Sequence, residues 1–337
     1  MIDTLQSEPV AVPEPPANPT IRTVVAYSAI TALMYVTPAI VFLPAALLHC
    51  GIRYGRRAAL LALPFGVVLG ALITFQFGVP AELRTDFAYF LISVLSIGVP
   101  TLIMLPMVER GEPFGRVVLH ALVGSLAGLW IADLLSTALL RFSPYADYLT
   151  ATRASAAKFA DVYVKNGMSA ANAKTITSLS VFCMTGFVMI FIAAIFIISM
   201  VIFGRLRAWR EMVEKREVVL SAPYLFRNLA FPDWLLFAFI AGGLSPLTKG
   251  VAQHVGANIL TVVVFLYLLQ GLAIVRSVLV AMGASVGMNI IAYGLLLLLS
   301  FAGSPLLLAL AGLFDPFFDF RHFNKKRKDD SDESHFD

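Results

Sequence analysis

The sequence predicts an all-α polytopic membrane protein, a transmembrane helix bundle of about eight or nine spans with an amphipathic helix on its outer surface. Of the 337 residues, 59% are hydrophobic and only 14% are charged, whereas about a quarter of the residues in a soluble domain are charged. The stretches 177–203 and 256–275 contain no charged residue, and each reaches the ~20 residues needed to cross a hydrocarbon layer. The remaining charges lie in short segments between apolar stretches.

The N-terminal transmembrane half is expected over residues 23–204, after a disordered, Pro-rich tail at residues 1–22. Its first apolar segment, 24–49, contains Pro38 and Pro44. Because proline interrupts helical hydrogen bonding, this segment forms either one kinked span or a helix followed by a short return helix. Further apolar runs lie at about 58–79, 87–107, 117–140 and 177–204.

Residues 141–176 differ from the runs around them. They are rich in alanine and mix apolar with basic side chains, a pattern typical of one or two amphipathic helices on the membrane surface. Asn166-Gly167 is the expected break between the two helices, and Ser169 is the expected N-cap of the second.

A basic cytoplasmic linker is expected at residues 205–230, a C-terminal transmembrane half at 231–322 and a charged disordered tail at 323–337. The apolar runs of this half are 232–248, 256–281, 284–301 and the short 304–314.

Positively charged residues are enriched in cytoplasmic loops. This rule assigns to the cytoplasm the basic segments 51–57, 108–116 and 205–227 and the C-terminal tail. The chain is therefore expected to be a multi-pass protein of the bacterial inner membrane with a cytoplasmic C-terminus, which requires 304–314 to cross or re-enter. The side of the N-terminus stays open, because it depends on whether 24–49 crosses once or doubles back. The same charge distribution excludes a basic groove for nucleic acid.

No pattern in the sequence supports catalysis. The five histidines are scattered without metal-ligand spacing, and neither a Walker A loop nor a dinucleotide fingerprint occurs. Gly283-Ala-Ser285-Val-Gly287 matches the nucleophile-elbow pattern, but it lies between apolar helices instead of after a strand, so we interpret it as a small-residue helix contact. We expect a protein that is not an enzyme and that holds no metal or cofactor. Four further residues, in the pairs Gly66/Gly70 and Gly124/Gly128, predict tight helix contacts.

The two cysteines, Cys50 and Cys183, are expected near opposite membrane faces. A disulfide needs α-carbons within about 7 Å, so both thiols are expected to be free.

Four polar residues are candidates for binding a small solute. Asp133 lies ~16 residues into its helix, ~24 Å from the cytoplasmic end, at a depth where an unpaired carboxylate is costly. Lys249 and His254 lie at the outer end of the C-terminal half and are candidate partners for it, and Asn258 shares a helical face with His254.

The segment 242–250 breaks its helix after about 11 residues, and irregular backbone at membrane depth is tolerated where it lines a wet cavity. Two alternatives remain open: that Asp133 reaches the outer interface beside Trp130, and that 242–250 is an ordinary tight turn.

The C-terminal third carries three recognisable segments: Phe231-Pro-Asp-Trp234, Tyr267-Leu-Leu-Gln270-Gly271 and Gly312-Leu-Phe-Asp315-Pro-Phe-Phe-Asp319-Phe-Arg321. With these segments the chain resembles the YybS-like membrane proteins, a domain-of-unknown-function family, over most of residues 24–321. The resemblance marks as motif residues Gly312, Asp315, Asp319 and Arg321. The family's hydrophobic layout is similar to that of the substrate-binding membrane components of energy-coupling-factor vitamin transporters.

That likeness implies a compact bundle that binds a small ligand near its outer face and docks to a partner through small residues, here Ser28 and Ala32 on the first helix. The chemistry of the closing motif alone predicts a helix start, with Asp315 as N-cap and Pro316 at the first helical position.

Taken together, these features favour a non-enzymatic membrane component that binds or moves a small solute. The alternative is a membrane scaffold that organises partner proteins, with the Arg205–Arg227 loop and the basic tail as cytoplasmic docking points. The lipid bilayer is the expected surrounding in both cases.

Overall fold

The computed structural model describes residues 20–77, 82–206, 224–299, 304–318 and 320. Within these ranges no β-strand occurs. The helices are, in chain order, α1 (Ile21–Tyr35), α2 (Leu43–Tyr54), α3 (Arg56–Phe77), α4 (Leu83–Ser93), α5 (Val99–Glu109), α6 (Phe114–Leu140), α7 (Pro144–Lys165), α8 (Ala170–Phe182), α9 (Met184–Phe203), α10 (Leu235–Gly243), α11 (Val251–Ala281), α12 (Val286–Leu299) and α13 (Ser304–Phe318). Outside the described residues lie most of the tails expected at 1–22 and 323–337 and most of the linker expected at 205–230.

Five of the described helical stretches are long and apolar enough to cross a membrane: α3, α4 with α5, α6, α9 and α11. Five shorter apolar stretches accompany them: Ile21–Tyr35, Pro38–Tyr54, Leu235–Leu247, Val286–Leu299 and Pro305–Phe318. Large apolar side chains such as Leu72, Val123 and Leu139 are exposed on the outside of the bundle, as expected for helices that face lipid. The predicted all-α membrane bundle is confirmed.

The first apolar segment doubles back on itself. After α1 ends at Tyr35, the Thr37 hydroxyl accepts a hydrogen bond from the Ala39 N–H and caps a 3₁₀ turn that leads into α2. The Tyr27 hydroxyl lies 2.6 Å from Nδ1 of His49, and its ring packs against the Tyr54 ring. Because Tyr27 precedes the turn by about as many residues as His49 follows it, the two helices run antiparallel. Of the two sequence-based alternatives, the return helix is the one found.

The core of the bundle lies between α2, α5, α6 and α9, where Phe196, Phe203, Leu48 and Met104 are fully buried. Between helices in lipid there is little hydrophobic driving force, so close packing through small residues stabilises the contacts. A β-carbon at Gly128 would collide with the Leu95 carbonyl.

At the glycine pair of α3, Gly66 faces Thr31 of α1 and Gly70 faces Ala32 of α1 and Phe90 of α4. These are the tight helix contacts that the glycine spacing predicts. The interpretation of Gly283–Gly287 was wrong. A β-carbon at Gly283 would meet no other atom within 4 Å, and this residue, with a φ of 65°, forms the turn that ends α11.

The α4–α5 crossing contains a π-helical turn at Val94–Gly98. A π turn frees backbone carbonyls from the regular ladder, and the Ser125 hydroxyl of α6 donates a hydrogen bond to the Ser96 carbonyl oxygen at 2.6 Å. The same turn places Gly98 against the Tyr35 hydroxyl, where a β-carbon would collide with that oxygen.

The segment expected to form one or two helices forms two, α7 and α8. Its break falls at Asn166 and at Gly167, which has a φ of 90°. Ser143 caps α7 by accepting from the Ala146 N–H, and Ser169 caps α8 by accepting from the Asn172 N–H. The hairpin packs helix against helix and is otherwise largely exposed.

The C-terminal helices α11 and α13 pack closely and antiparallel. A β-carbon at Gly271 would collide with the Leu308 carbonyl, and one at Gly312 with the Tyr267 carbonyl, so the contacts run in opposite order along the two helices. The expected helix start at Asp315 was wrong, since α13 begins at Ser304 and Pro316 lies inside it.

Candidate functional site

Asp133 binds the start of the α7–α8 hairpin instead of meeting the expected partners. Its Oδ1 accepts hydrogen bonds from the Ser143 hydroxyl at 2.8 Å and from the Tyr145 N–H at 2.9 Å. The Tyr145 ring also stacks on Trp130 at 6.3 Å between centroids. The carboxylate therefore holds the first turn of α7 to the end of α6. Of the two interpretations of Asp133, the position beside Trp130 agrees better with these contacts than a pairing with Lys249 or His254.

Asn258 and His254 connect α11 to the junction between α8 and α9. The Asn258 amide oxygen accepts from the Gly186 N–H at 2.6 Å, and the amide nitrogen donates to the Phe182 carbonyl at 3.1 Å. The His254 ring stacks on Phe182 with 3.8 Å between centroids. Asn258 thus satisfies backbone groups that the break between the two helices leaves open.

Lys249 lies exposed in the turn before α11. Among the hydrogen bonds and ion pairs of the described residues, none joins Asp133 to Lys249, His254 or Asn258. The structure therefore divides the four sequence-based candidates between the α6–α7 junction and the α8–α11 junction.

The motif segments of the C-terminal third meet in one buried polar junction. The Gln270 side chain is 1% exposed; its Oε1 accepts from the Phe231 N–H at 2.9 Å and its Nε2 donates to Asp315 Oδ2 at 3.3 Å. Together with the Gly271–Gly312 contact, this junction ties α13 and the segment before α10 to α11. The motif residues Asp319 and Arg321 lie outside the described residues.

An open cleft of about 500 Å³ lies between α1, α3 and α4. Its wall is formed by Tyr35, Val36, Ile73, Thr74, Asp86, Tyr89, Phe90 and Ser93. At ~1.5 Å per residue, Thr74 is about 27 Å along α3 from Arg56, which pairs with Glu109 at the end of α5. The cleft and this ion pair therefore lie at opposite ends of the bundle.

The cleft combines apolar walls with oxygen atoms that can accept hydrogen bonds. The hydroxyls of Thr74 and Ser93 donate to carbonyls of their own helices, Gly70 and Tyr89, so their lone pairs remain available. Tyr35 is 8% exposed and adds part of its ring to the wall, while its hydroxyl is buried against Gly98. Concave sites with a few convergent polar groups are typical of small-molecule binding.

The cleft residues carry a sequence signal that composition and charge counting do not detect. Asp86, Tyr89, Phe90 and Ser93 follow the spacing i, i+3, i+4, i+7, which brings side chains to one face of a helix. Asp86 lies in the first turn of α4, just before the apolar run 87–107. Counting charges therefore assigns it to the linker that precedes this run.

Comparison with known proteins gives one result. A family profile described as "Predicted membrane protein (DUF2232)" matches residues 24–316. The chain belongs to this family. No curated protein and no solved structure matches it.

The DUF2232 match contains the whole cleft and the polar junction as far as Asp315. The family-level resemblance seen in the C-terminal motif is thereby confirmed, while the motif residues Asp319 and Arg321 fall beyond the matched range. Membership establishes a membrane protein with several apolar helices and specifies no activity.

Proposed function

We propose that this DUF2232 protein is a non-enzymatic solute-binding component of a bacterial inner membrane, and that it binds its solute in the cleft between α1, α3 and α4. The observation that carries the proposal is the convergence of a carboxylate and four hydroxyl-bearing side chains on an open, largely apolar cleft of about 500 Å³. That volume suits a small organic molecule.

The charge distribution supports an outward-facing cleft. At the end of the bundle far from the cleft, Arg56 pairs with Glu109 and Arg116 pairs with Glu112, and Arg110 lies exposed between them. By the positive-inside rule this end is cytoplasmic. The cleft then opens at the outer end, beside the α7–α8 hairpin.

The basic tail falls under the same rule, which places its residues 325–328 in the cytoplasm. Helix α13 runs opposite to α11, but its Asp315 accepts a hydrogen bond from Gln270, which also binds Phe231. Ala230, next to Phe231, lies against Gly115, the neighbour of Arg116. The C-terminal part of α13 therefore lies near the end of the bundle where Arg56 and Arg116 lie, in keeping with a cytoplasmic C-terminus, and a compartment-sensitive reporter fused after Asp337 tests this part of the proposal.

From the expected likeness to energy-coupling-factor components, we propose solute binding only. Ser28 and Ala32, the small residues of the first helix, are buried in the bundle, and Ala32 lies against Gly70 of α3. These positions stabilise the α1–α3 contact, so a coupling partner would have to dock on another surface.

Native mass spectrometry of the protein extracted gently from its own membrane tests the proposal. Wild type is expected to retain a small molecule that Thr74→Trp loses, because the larger side chain fills the cleft. Val123→Trp, on a lipid-facing position that is 67% exposed, serves as the matched control and keeps the molecule.

Equal retention by both variants would place the molecule elsewhere. A chain that carries no small molecule but stoichiometric protein partners would favour the scaffold alternative instead. For that alternative the chain offers α12, an apolar helix without a buried residue, together with the Arg205–Arg227 loop, most of which lies outside the described residues.

A further inference from the structure

We propose that the solute is an organic amine bound in its protonated, positively charged form, with Asp86 as its counter-ion. This inference rests on the proposed function and specifies the chemical class of the ligand. Three independent features of the cleft lead to it: its charge, its hydrogen-bonding character and its aromatic wall.

The charge of the cleft comes from Asp86 alone among the residues that line it. In the described part of the chain this carboxylate takes part in neither ion pair. Arg84, two positions earlier and therefore on the opposite side of α4, is exposed. In the sequence, residues 78–81 (Gly-Val-Pro-Ala) contain no basic side chain. A half-buried carboxylate without a cationic partner attracts a cation and repels an anion.

The hydrogen-bonding groups that the cleft exposes are acceptors, since the Tyr35 hydroxyl is buried against Gly98. Thr74 and Ser93 direct their hydroxyl protons to backbone carbonyls, and an ionised carboxylate accepts only. Tyr89 donates its hydroxyl proton to Asp147 of α7 at 2.9 Å. A ligand that offers several N–H donors matches this set, whereas a carboxylate or phosphate ligand would place its own acceptor oxygens against these acceptors.

The aromatic side chains suit the same ligand. Tyr35 and Phe90 pack edge to face with 5.5 Å between ring centroids, and Tyr89 completes the wall with them. Cations within ~6 Å of a ring centroid are attracted by the ring face. The apolar side chains of Val36 and Ile73 also line the cleft and suit the hydrocarbon part of an amine.

Asp86 also lies in the first turn of α4, where the positive end of the helix dipole stabilises any carboxylate. Glu82, which precedes the same turn and does not line the cleft, provides the matched control. Glu82→Gln removes the same charge from the same helix end without touching the cavity.

The test uses three probes with one phenyl group and different charge: 2-phenylethylamine, 2-phenylethanol and 3-phenylpropanoate, measured by isothermal calorimetry on the full chain in detergent. Wild type and Glu82→Gln are expected to bind the amine at least about tenfold more tightly than the alcohol, a ratio equivalent to about 1.4 kcal/mol. In Asp86→Asn the ratio is expected to fall to about one, and in Asp86→Glu, which keeps the charge, to recover in part. Thermal unfolding of each variant confirms that it is folded.

The inference is overturned if the alcohol or the propanoate binds wild type as tightly as the amine, or if Glu82→Gln loses selectivity as Asp86→Asn does. If no probe binds, the molecule retained in native mass spectrometry decides. A cation lost in Asp86→Asn supports the inference, whereas a neutral or anionic molecule lost in Thr74→Trp overturns it and leaves the proposed function standing. A chain without any cleft-bound molecule or probe overturns both.

Discussion

The hydroxyl of Tyr89 donates a hydrogen bond to Oδ2 of Asp147 across 2.9 Å, which joins the wall of the cleft to the first turn of α7. Asp133 holds the same end of α7 from the other side, through Ser143 and Tyr145. Two separate side chains therefore hold the start of the α7–α8 hairpin, and one of them, Tyr89, lines the cleft.

Replacing Tyr89 by phenylalanine should loosen α7 at its start. The lost hydrogen bond to a carboxylate is worth about 1.5–3 kcal/mol where it is shielded from water, and less here because Tyr89 is 37% exposed. Hydrogen exchange at residues 147–151 should become faster while the core helices keep their protection. Tyr148→Phe, at an exposed neighbouring position, should leave exchange unchanged; equal effects of the two variants would contradict the coupling.

Asp133→Ala should destabilise the α6–α7 junction without affecting solute retention. Two hydrogen bonds to one carboxylate are lost, with an expected cost of about 1–3 kcal/mol. Limited proteolysis should cut near Ser143 faster than in wild type. Loss of the solute together with unchanged proteolysis would instead support the sequence-based hypothesis that Asp133 binds the solute.

Gly312→Ala should destabilise the packing of α13 on α11. Its β-carbon would meet backbone atoms of Tyr267, which cannot rotate away, so overpacking should cost about 1–3 kcal/mol. Thermal unfolding in detergent measures the change. Gly294→Ala on α12, where nothing lies within 4 Å, is the control, and a comparable loss at both positions would argue against a tight contact at Gly312.

Gln270→Leu should weaken the polar junction of the C-terminal half. The Phe231 N–H would lose its acceptor in a buried site, and an unsatisfied buried donor costs about 1–3 kcal/mol. Gln270→Glu keeps an acceptor for that N–H but sets a carboxylate against Asp315, so it should also be destabilising and more so at neutral than at acidic pH. If both variants had the same thermal unfolding midpoint as wild type, the junction would not contribute to stability.

The orientation of the bundle can be read with a membrane-impermeant maleimide on intact spheroplasts. Cys50 and Cys183 are free and buried, so wild type should remain unlabelled. Lys158→Cys in the outer hairpin should react from outside, and Arg110→Cys should react only after the membrane is opened. The reverse pattern would place the cleft on the cytoplasmic side.

Much of the helix pattern could be read from the chain because its causes are local. The break at Asn166-Gly167, the cap at Ser169 and the glycine contact at Gly66 each follow from the conformational range or size of one residue type. The prediction of a helix start at Asp315 was wrong because packing outweighed the local signal. The close contact at Gly271 and Gly312 holds α13 against α11, and the helix runs on through Asp315 and Pro316.

Composition and charge spacing were enough to predict a helical membrane protein, because a water-free layer ~30 Å thick requires long apolar helices whatever their partners are. Which polar side chains meet could not be predicted in the same way. Asp133 faces Ser143, Asn258 faces Gly186, and Asp86 joins Tyr35 at a cleft, since the partner of a side chain depends on how each helix is rotated and packed against helices remote in sequence.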